Sequence, residues 1–219
     1  MPSDDTGLPK PPGGSVPADG RGFLHLAELA EVAIIQRADA RKNRAIILAA
    51  ADAVFQAEGS GATLDKVIRE AKVGRMTFFR HFPDRDSLLA ALLEQAMDEL
   101  QAQADLVRGD AEGFSRMIAF MIDRMTLRIG LVDYWISTDP QHPAVRDAMD
   151  RLSPIFADAI SEARKAGRCR ADLTPDDVAL FGRMLGAVTR GYPPESRQKA
   201  LGRAAQILIE GLLSRPPRP

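Results

Sequence analysis

The chain has 219 residues, enough for one or two domains with a hydrophobic core. Its single cysteine excludes a disulfide within the chain, and no apolar stretch reaches the roughly 20 residues that span a bilayer, so we expect a cytoplasmic protein. The formal net charge is −1, but residues 37–85 carry ten Lys and Arg against six Asp and Glu. This surplus of four positive charges indicates a polyanionic partner for that segment, although counts this small also arise by chance.

Helical periodicity dominates the chain, and no segment alternates as a strand does, so the predicted fold class is all-α. Residues 1–22 are rich in Pro, Gly and Asp and are predicted to be a disordered tail, and residues 215–219 a frayed one. Residues 23–36 can form a short amphipathic helix, to which the sequence assigns no role. Residues 39–57 predict a firmer helix, which ends at Gly59 and Gly61.

Three further helices are predicted in quick succession. Thr63 is a suitable N-cap for a short helix that ends near Ala71, and Lys72-Val73-Gly74 interrupts the period. A second short helix covers residues 75–82, and Asp84 can cap a long helix over about 85–107. Two short helices joined by a tight turn are typical of a helix-turn-helix unit, whose second helix enters the major groove of DNA.

The second short helix has two faces of different character. Phe78 and Phe82 are four residues apart and are expected to face the core. Arg75 and Phe79 share another face, which remains available to an anion. The residues that flank this second face are Thr77, Arg80 and His81.

Residues 108–214 predict a separate helical bundle. A methionine stripe, Met117, Met121 and Met125, recurs every four residues in a helix that is apolar on most sides. The stripe is either ordinary core packing or the lining of a ligand cavity, because thioethers adapt to irregular shapes. The other side chains that we expect in such a cavity, which would suit an apolar or aromatic ligand, are Trp135, Phe156, Phe181 and Met184.

The last two predicted helices have features of a contact surface. Gly182 and Gly186 are four apart, so that another helix can approach closely. A second stripe, of apolar residues in the last helix, consists of Leu201, Ala205, Leu208 and Leu212. These helices either form a dimer face or merely close the bundle.

The segment VIREAKVGRMTFFRHFPDRDSLL, within residues 43–89, resembles the DNA-binding domain of TetR-type transcriptional regulators. The resemblance implies an all-α homodimer with a helix-turn-helix domain, here residues 23–88 with its N-terminal extension. It also implies a ligand-binding and dimerisation domain, here residues 89–214. Most members of the family are repressors that a small molecule releases from DNA.

The sequence departs from the family pattern at several positions. Lys72 replaces the usual turn glycine, at a cost of roughly 1–2 kcal/mol if the backbone is left-handed there. Gly74 replaces the usual serine cap, Ile68 a small alanine, and Phe79 the usual tyrosine. These departures affect the expected operator sequence more than the fold.

We expect two groups of DNA contacts, although each side chain can also be a solvated surface group. Phosphate contacts are expected from Arg44, Thr63, Lys72, His81 and Arg85. Base contacts are expected from Arg75 and Thr77, and from Phe79 or Arg80, since arginine to guanine is the commonest specific contact.

The predicted function is therefore a sequence-specific DNA-binding regulator, a repressor released by a small apolar or aromatic ligand. An activator and a ligand-independent regulator are the alternatives within this class. A helical ligand-binding protein or enzyme with a vestigial DNA-binding module is the alternative outside it. We expect no enzymatic activity, no cofactor and no metal, since the three histidines are scattered.

Overall fold

The structure is a computed structural model that describes residues 21–59 and 61–212. Residues 1–20 of the predicted N-terminal tail, and the whole C-terminal tail at 215–219, lie outside these ranges. Residues 21 and 22, which we assigned to the tail, are helical. In the described ranges all regular secondary structure is helical, which confirms the all-α prediction. None of these helices is both long enough and apolar enough to cross a bilayer.

The chain divides into two compact units, residues 1–42 and residues 43–219. The predicted boundary near residue 88 stays a prediction. The helices follow one another as α1 Arg21–Glu58, α2 Leu64–Ala71, α3 Arg75–His81, α4 Arg85–Leu106, α5 Gly113–Leu127, α6 Ile129–Ser137, α7 Pro143–Lys165, α8 Pro175–Val188, a 3-10 turn Thr189–Gly191, and α9 Pro194–Leu212.

Helix α1 is one continuous helix where the sequence predicted two. No glycine or proline interrupts residues 23–58, and the intervening residues 36–40 include two alanines, a glutamine and an arginine, which favour a helix. The predicted end at Gly59 is correct, since Gly59 has a φ of +82°.

The ends of the short helices follow from their caps. Asp84 accepts a hydrogen bond from the backbone N–H of Ser87 at 2.7 Å, and the Ser87 hydroxyl accepts one from the Asp84 N–H, so a complete capping box begins α4. The hydrogen bond from the Ser87 N–H to the carboxylate is the largest cause of the lowered pKa of Asp84. Lys72 ends α2 in the left-handed conformation, with φ +53° and ψ +35°. A non-glycine residue therefore has a left-handed backbone in this turn, and the expected cost in backbone strain applies to Lys72.

The core of residues 43–219 is built from the inner faces of these helices. Phe78 and Phe82 are buried, as predicted, and fix α3 to the domain. In the bundle, Phe114 of α5 and Phe156 of α7 meet edge to face at 6.5 Å. Pro143 and Pro175 begin α7 and α8, because proline fits the first position of a helix.

Candidate nucleic-acid interface and ligand cavity

The outer face of α3 combines cationic and apolar side chains. Arg75, Phe79 and Arg80 are exposed, while Thr77 and His81 are half-buried. Phe79 is held edge to face against the buried Phe78, with ring centroids 5.3 Å apart. The inner aromatic side chain therefore supports the outer one, and the predicted separation of the two faces is correct.

Arg75 is linked to the preceding helix. Its guanidinium donates a hydrogen bond to Asp65 of α2 at 2.7 Å and lies 5.9 Å from the centroid of the Phe79 ring. Both partners of this ion pair are more than half exposed. Such pairs contribute about 0–1 kcal/mol, so exchange of Asp65 for a phosphate or a base edge costs little.

A side chain that the sequence analysis missed completes this face. Met76 is 72% exposed and lies one turn from Phe79 and Arg80. The i, i+3, i+4 spacing of these three residues puts them on one face of α3. The spacing of Phe78 and Phe82 could have predicted this exposure. When these two residues face the core, position 76 lies on the outer side of α3.

Two of the residues expected to contact phosphates are exposed, one before α2 and one in the turn before α3. Thr63 is the exposed N-cap residue of α2, although its side chain makes no capping hydrogen bond. Lys72 is exposed in the turn between α2 and α3. Both are free of the core and can meet the DNA backbone.

Arg44 and His81 lie together in a cleft of about 780 Å³. The guanidinium of Arg44 is 5.7 Å from the centroid of the Phe82 ring and 3.3 Å from a carboxylate oxygen of Glu94. Residues of α7, including Asp147 and Arg151, also line this cleft. Arg44 and His81 therefore face the bundle as well as the end of α3.

Arg85 connects two parts of the domain. Its guanidinium donates a hydrogen bond to the backbone carbonyl of Ala62 and lies 5.7 Å from the centroid of the Phe55 ring. This side chain is half-buried. Its contacts tie the start of α4 to the loop before α2, a structural role that the sequence did not indicate, and its predicted phosphate contact stays a prediction.

An apolar cavity of about 80 Å³ lies between α4, α5, α6 and α7. Four methionines contribute to its wall, Met97, Met121, Met125 and Met149. Met97 and Ala148 also line the larger cleft, so a single flexible side chain and a methyl group form part of the wall of both spaces. Ligand sites commonly measure about 300–1,000 Å³, so a ligand of ordinary size requires these side chains to move.

The structure brings together only some of the predicted ligand residues. Met121, Met125 and Trp135 line the cavity. Met117 and Phe156 are fully buried in the core, which agrees with ordinary packing. Phe181 and Met184 contact a different, open cleft, and Met184 is 41% exposed. The full set therefore does not surround one cavity, since i, i+4 spacing places residues on one helix face but does not select which neighbours share a void.

Arg128, also part of the cavity wall, is neutralised by two carboxylates. It donates to Asp52 of α1 at 2.8 Å and to both carboxylate oxygens of Glu99 of α4, at 2.8 and 3.0 Å. Burial by itself lowers the pKa of Arg128, but these hydrogen bonds and charges raise it overall. The guanidinium joins α1, α4 and the α5–α6 junction.

The glycines of α8 contact a helix of the same chain. A Cβ added at Gly182 would lie 2.9 Å from Trp135, and one at Gly186 would lie 2.6 Å from Ile136, both in α6. Leu201 and Ala205 are buried, and Leu208 packs on the same core. The side chain of Leu212 lies outside the described residues. A helix does approach these glycines closely, as predicted, but that helix is α6 of the same chain.

Comparison with known proteins gives a family match for the helix-turn-helix segment. Residues 47–92 match the model of the bacterial regulatory proteins of the tetR family. No curated protein matches the chain in sequence.

Solved structures share the fold over most of the chain. A TetR transcription regulatory protein from Mycobacterium vanbaalenii is 25% identical, with a TM-score of 0.59 over 82% of this chain and 99% of its own. A TetR transcriptional regulator from Streptomyces coelicolor is 26% identical, with a TM-score of 0.53 over 79% of this chain and 99% of its own. The helix-turn-helix segment matches the family model and most of the chain shares the fold of these regulators, which confirms the resemblance to TetR-type transcriptional regulators.

Proposed function

We propose that this regulator is a homodimeric repressor that a small ligand releases from its DNA operator. The observation that carries the DNA-binding part is the two-sided α3 helix. Phe78 and Phe82 are buried, whereas Arg75, Phe79 and Arg80 project outward with Met76. This arrangement presents guanidinium groups and apolar surface to the major groove, where guanine offers acceptors and thymine a methyl group.

The side chains have distinct roles in this proposal. Arg75 and Thr77 contact base edges, and Met76 and Phe79 contact thymine methyl groups. Thr63, Lys72 and Arg80 contact phosphates, together with the amides at the start of α4. Arg44, His81 and Arg85 lie at the periphery and hold α3 and α4 in place through Phe82, Glu94 and Ala62.

Selection from a random duplex library with the full chain tests this part. We expect an enriched palindrome whose half-sites are about one helical turn apart, because a symmetric dimer presents two α3 helices. Affinity for that sequence should fall steeply with salt, since several phosphates are neutralised. Failure to enrich any sequence would contradict the proposal.

The dimer part uses the outer faces of α8 and α9 rather than the glycines. Leu180 and Met184 are exposed four residues apart on α8, and Ile207 is 59% exposed on α9. Light scattering should give twice the chain mass, and the double variant Leu180→Glu, Ile207→Glu should be monomeric with an unchanged circular dichroism spectrum. A monomeric unsubstituted chain would refute the dimer.

The release part rests on the cavity between α4 and α7. A ligand that binds free protein more tightly than operator-bound protein lowers DNA affinity by the same factor. Equal affinity for both states would exclude release by that ligand. Such a regulator acts in the cytoplasm, where bacterial DNA lies, and the proposal includes no catalytic step.

A further inference from the structure

Two residues of the cavity wall each have a buried hydrogen-bond donor without an acceptor. In the part of the chain that the structure describes, three buried side-chain nitrogens have no partner, and two of them, Trp135 Nε1 and Arg124 Nε, belong to residues of the cavity wall. Trp135 is only 8% exposed. Buried polar groups in folded proteins nearly always have a partner, so two orphan donors at one cavity call for an explanation.

Other parts of these two side chains make contacts within the protein. The six-membered edge of the Trp135 indole packs on Gly182, where an added Cβ would lie 2.9 Å away. A terminal nitrogen of Arg124 pairs with Asp123 at 3.3 Å, and its guanidinium lies 5.0 Å from the centroid of the Phe120 ring. The buried polar atoms of these two side chains that remain without a partner are the indole N–H and the Nε–H.

The surrounding wall provides no acceptor for them. None of the residues that line the cavity has a carboxylate, amide or hydroxyl side chain, and the carboxylates that pair with Arg128 of the wall, Asp52 and Glu99, are already hydrogen-bonded to it. Indole and guanidinium groups can only donate, and they cannot exchange roles with a neighbour. The missing component is therefore an acceptor that comes from outside the chain.

We propose that the cavity binds an apolar molecule that carries an oxygen acceptor, a carbonyl or a carboxylate, and that Trp135 Nε1 and Arg124 Nε donate hydrogen bonds to it. The side chains of the wall offer no carboxylate, amide or hydroxyl oxygen, so an amine would find no acceptor among them. Four methionines allow the cavity to expand around the apolar part. This inference specifies the chemistry of the ligand in the proposed function. Only its regulatory consequence rests on that proposed function.

The test uses four one-ring probes of similar size: acetophenone, benzoate, benzylammonium and ethylbenzene. One ring is the appropriate scale, because a cavity of about 150 Å³ holds benzene and this one is smaller before it expands. Trp135 is the only tryptophan, so the full chain labelled with 15N gives a single indole N–H resonance. We expect acetophenone, benzoate or both to move that resonance downfield in a saturable titration, and to bind more tightly than ethylbenzene and benzylammonium.

The two acceptor probes also separate the possible ligand classes. Tighter binding of benzoate identifies an anionic ligand paired with Arg124, and tighter binding of acetophenone a neutral carbonyl ligand. Trp135→Phe should reduce the preference for acetophenone over ethylbenzene about fivefold, the value of one hydrogen bond. Arg124→Lys retains the charge but removes Nε, and should likewise reduce the preference for the tighter acceptor probe.

Two results would overturn the inference, and neither needs a folded variant. One is that ethylbenzene or benzylammonium binds as tightly as both acceptor probes. The other is that no probe moves the indole resonance. DNA selection is independent of these titrations, so the chemistry of the ligand and the proposed regulatory function can fail separately.

Discussion

Tyr134 of α6 donates a hydrogen bond from its hydroxyl to Asp86 of α4, with an O–O distance of 2.9 Å. Asp86 lies in the first turn of α4, directly after the helix-turn-helix unit, and Tyr134 is next to Trp135 in the cavity wall. The other carboxylate oxygen of Asp86 is 3.1 Å from Nε2 of His142, which precedes α7. One carboxylate thus joins the end of the DNA-binding domain to two helices that line the cavity.

We expect Tyr134→Phe to weaken the communication between cavity and DNA. The ring remains in place, and one hydrogen bond is lost, so the free energy of unfolding should fall by about 1 kcal/mol in urea titrations. DNA affinity without ligand should be retained, whereas a bound ligand should lower it less than in the unsubstituted chain. Tyr192→Phe is the control, since Tyr192 is exposed and its hydroxyl lies far from this contact in sequence. Equal ligand effects in both variants would contradict the coupling.

The same hydroxyl predicts a pH dependence of stability. Burial, and next the hydrogen bond to Asp86, raise the pKa of Tyr134 above its ordinary value of 10.0. A raised folded-state pKa means that the contribution to stability is complete below about pH 10 and declines as pH rises toward the folded-state pKa. The difference in unfolding free energy between the unsubstituted chain and Tyr134→Phe should therefore shrink above pH 10, and a difference that grows there would be inconsistent with the assignment.

Substitutions on α3 should distinguish side chains that contact bases from side chains that contact phosphates. Arg75→Ala should cost about 1–3 kcal/mol of DNA-binding free energy and relax the sequence preference at one position, because a base contact is lost. Arg80→Ala should weaken all sequences similarly and reduce the salt slope by about 1. Mobility shifts with the selected operator and its single-base variants measure both effects. Arg108→Ala, an exposed arginine paired with Asp105 far along α4, should change neither.

Lys72 should show a conflict between stability and binding. Lys72→Gly relieves a left-handed residue and should stabilise the chain by about 1 kcal/mol, while Lys72→Ala retains the strain. Both variants lose the positive charge, so both should bind DNA more weakly and to the same extent. Thermal unfolding and mobility shifts together test this, and unequal DNA affinities of the two variants would argue against a charge effect.

The glycines of α8 should be sensitive to a single methyl group. Gly186→Ala places a Cβ 2.6 Å from Ile136, so we expect a loss of about 1–3 kcal/mol of unfolding free energy by overpacking. Gly202→Ala in α9 is the matched control, because no atom lies within 4 Å of its added Cβ. Gly202→Ala should raise the free energy of unfolding by about 0.5–1 kcal/mol, since alanine favours a helix. Light scattering should give the same mass for both variants.

Local signals in the sequence determined the helices and their ends. Asp84, Pro143, Pro175 and Gly59 act on the backbone within a few residues, so their effects can be predicted without knowledge of distant partners. The inner and outer faces of α3 follow in the same way from the spacing of Phe78 and Phe82. The continuous α1 was missed because two apolar patterns were interpreted as two helices, although nothing between them breaks a helix.

Only the tertiary structure decided which faces meet. The four-residue spacing of Gly182 and Gly186 predicts a close neighbour, but whether that neighbour is α6 or a second chain depends on contacts distant in sequence. The same holds for the cavity, where Met97 and Met149 come from α4 and α7, and for Tyr134 and Asp86, 48 residues apart. Periodicity places a side chain on a helix face, whereas the packing of several helices determines what that face contacts.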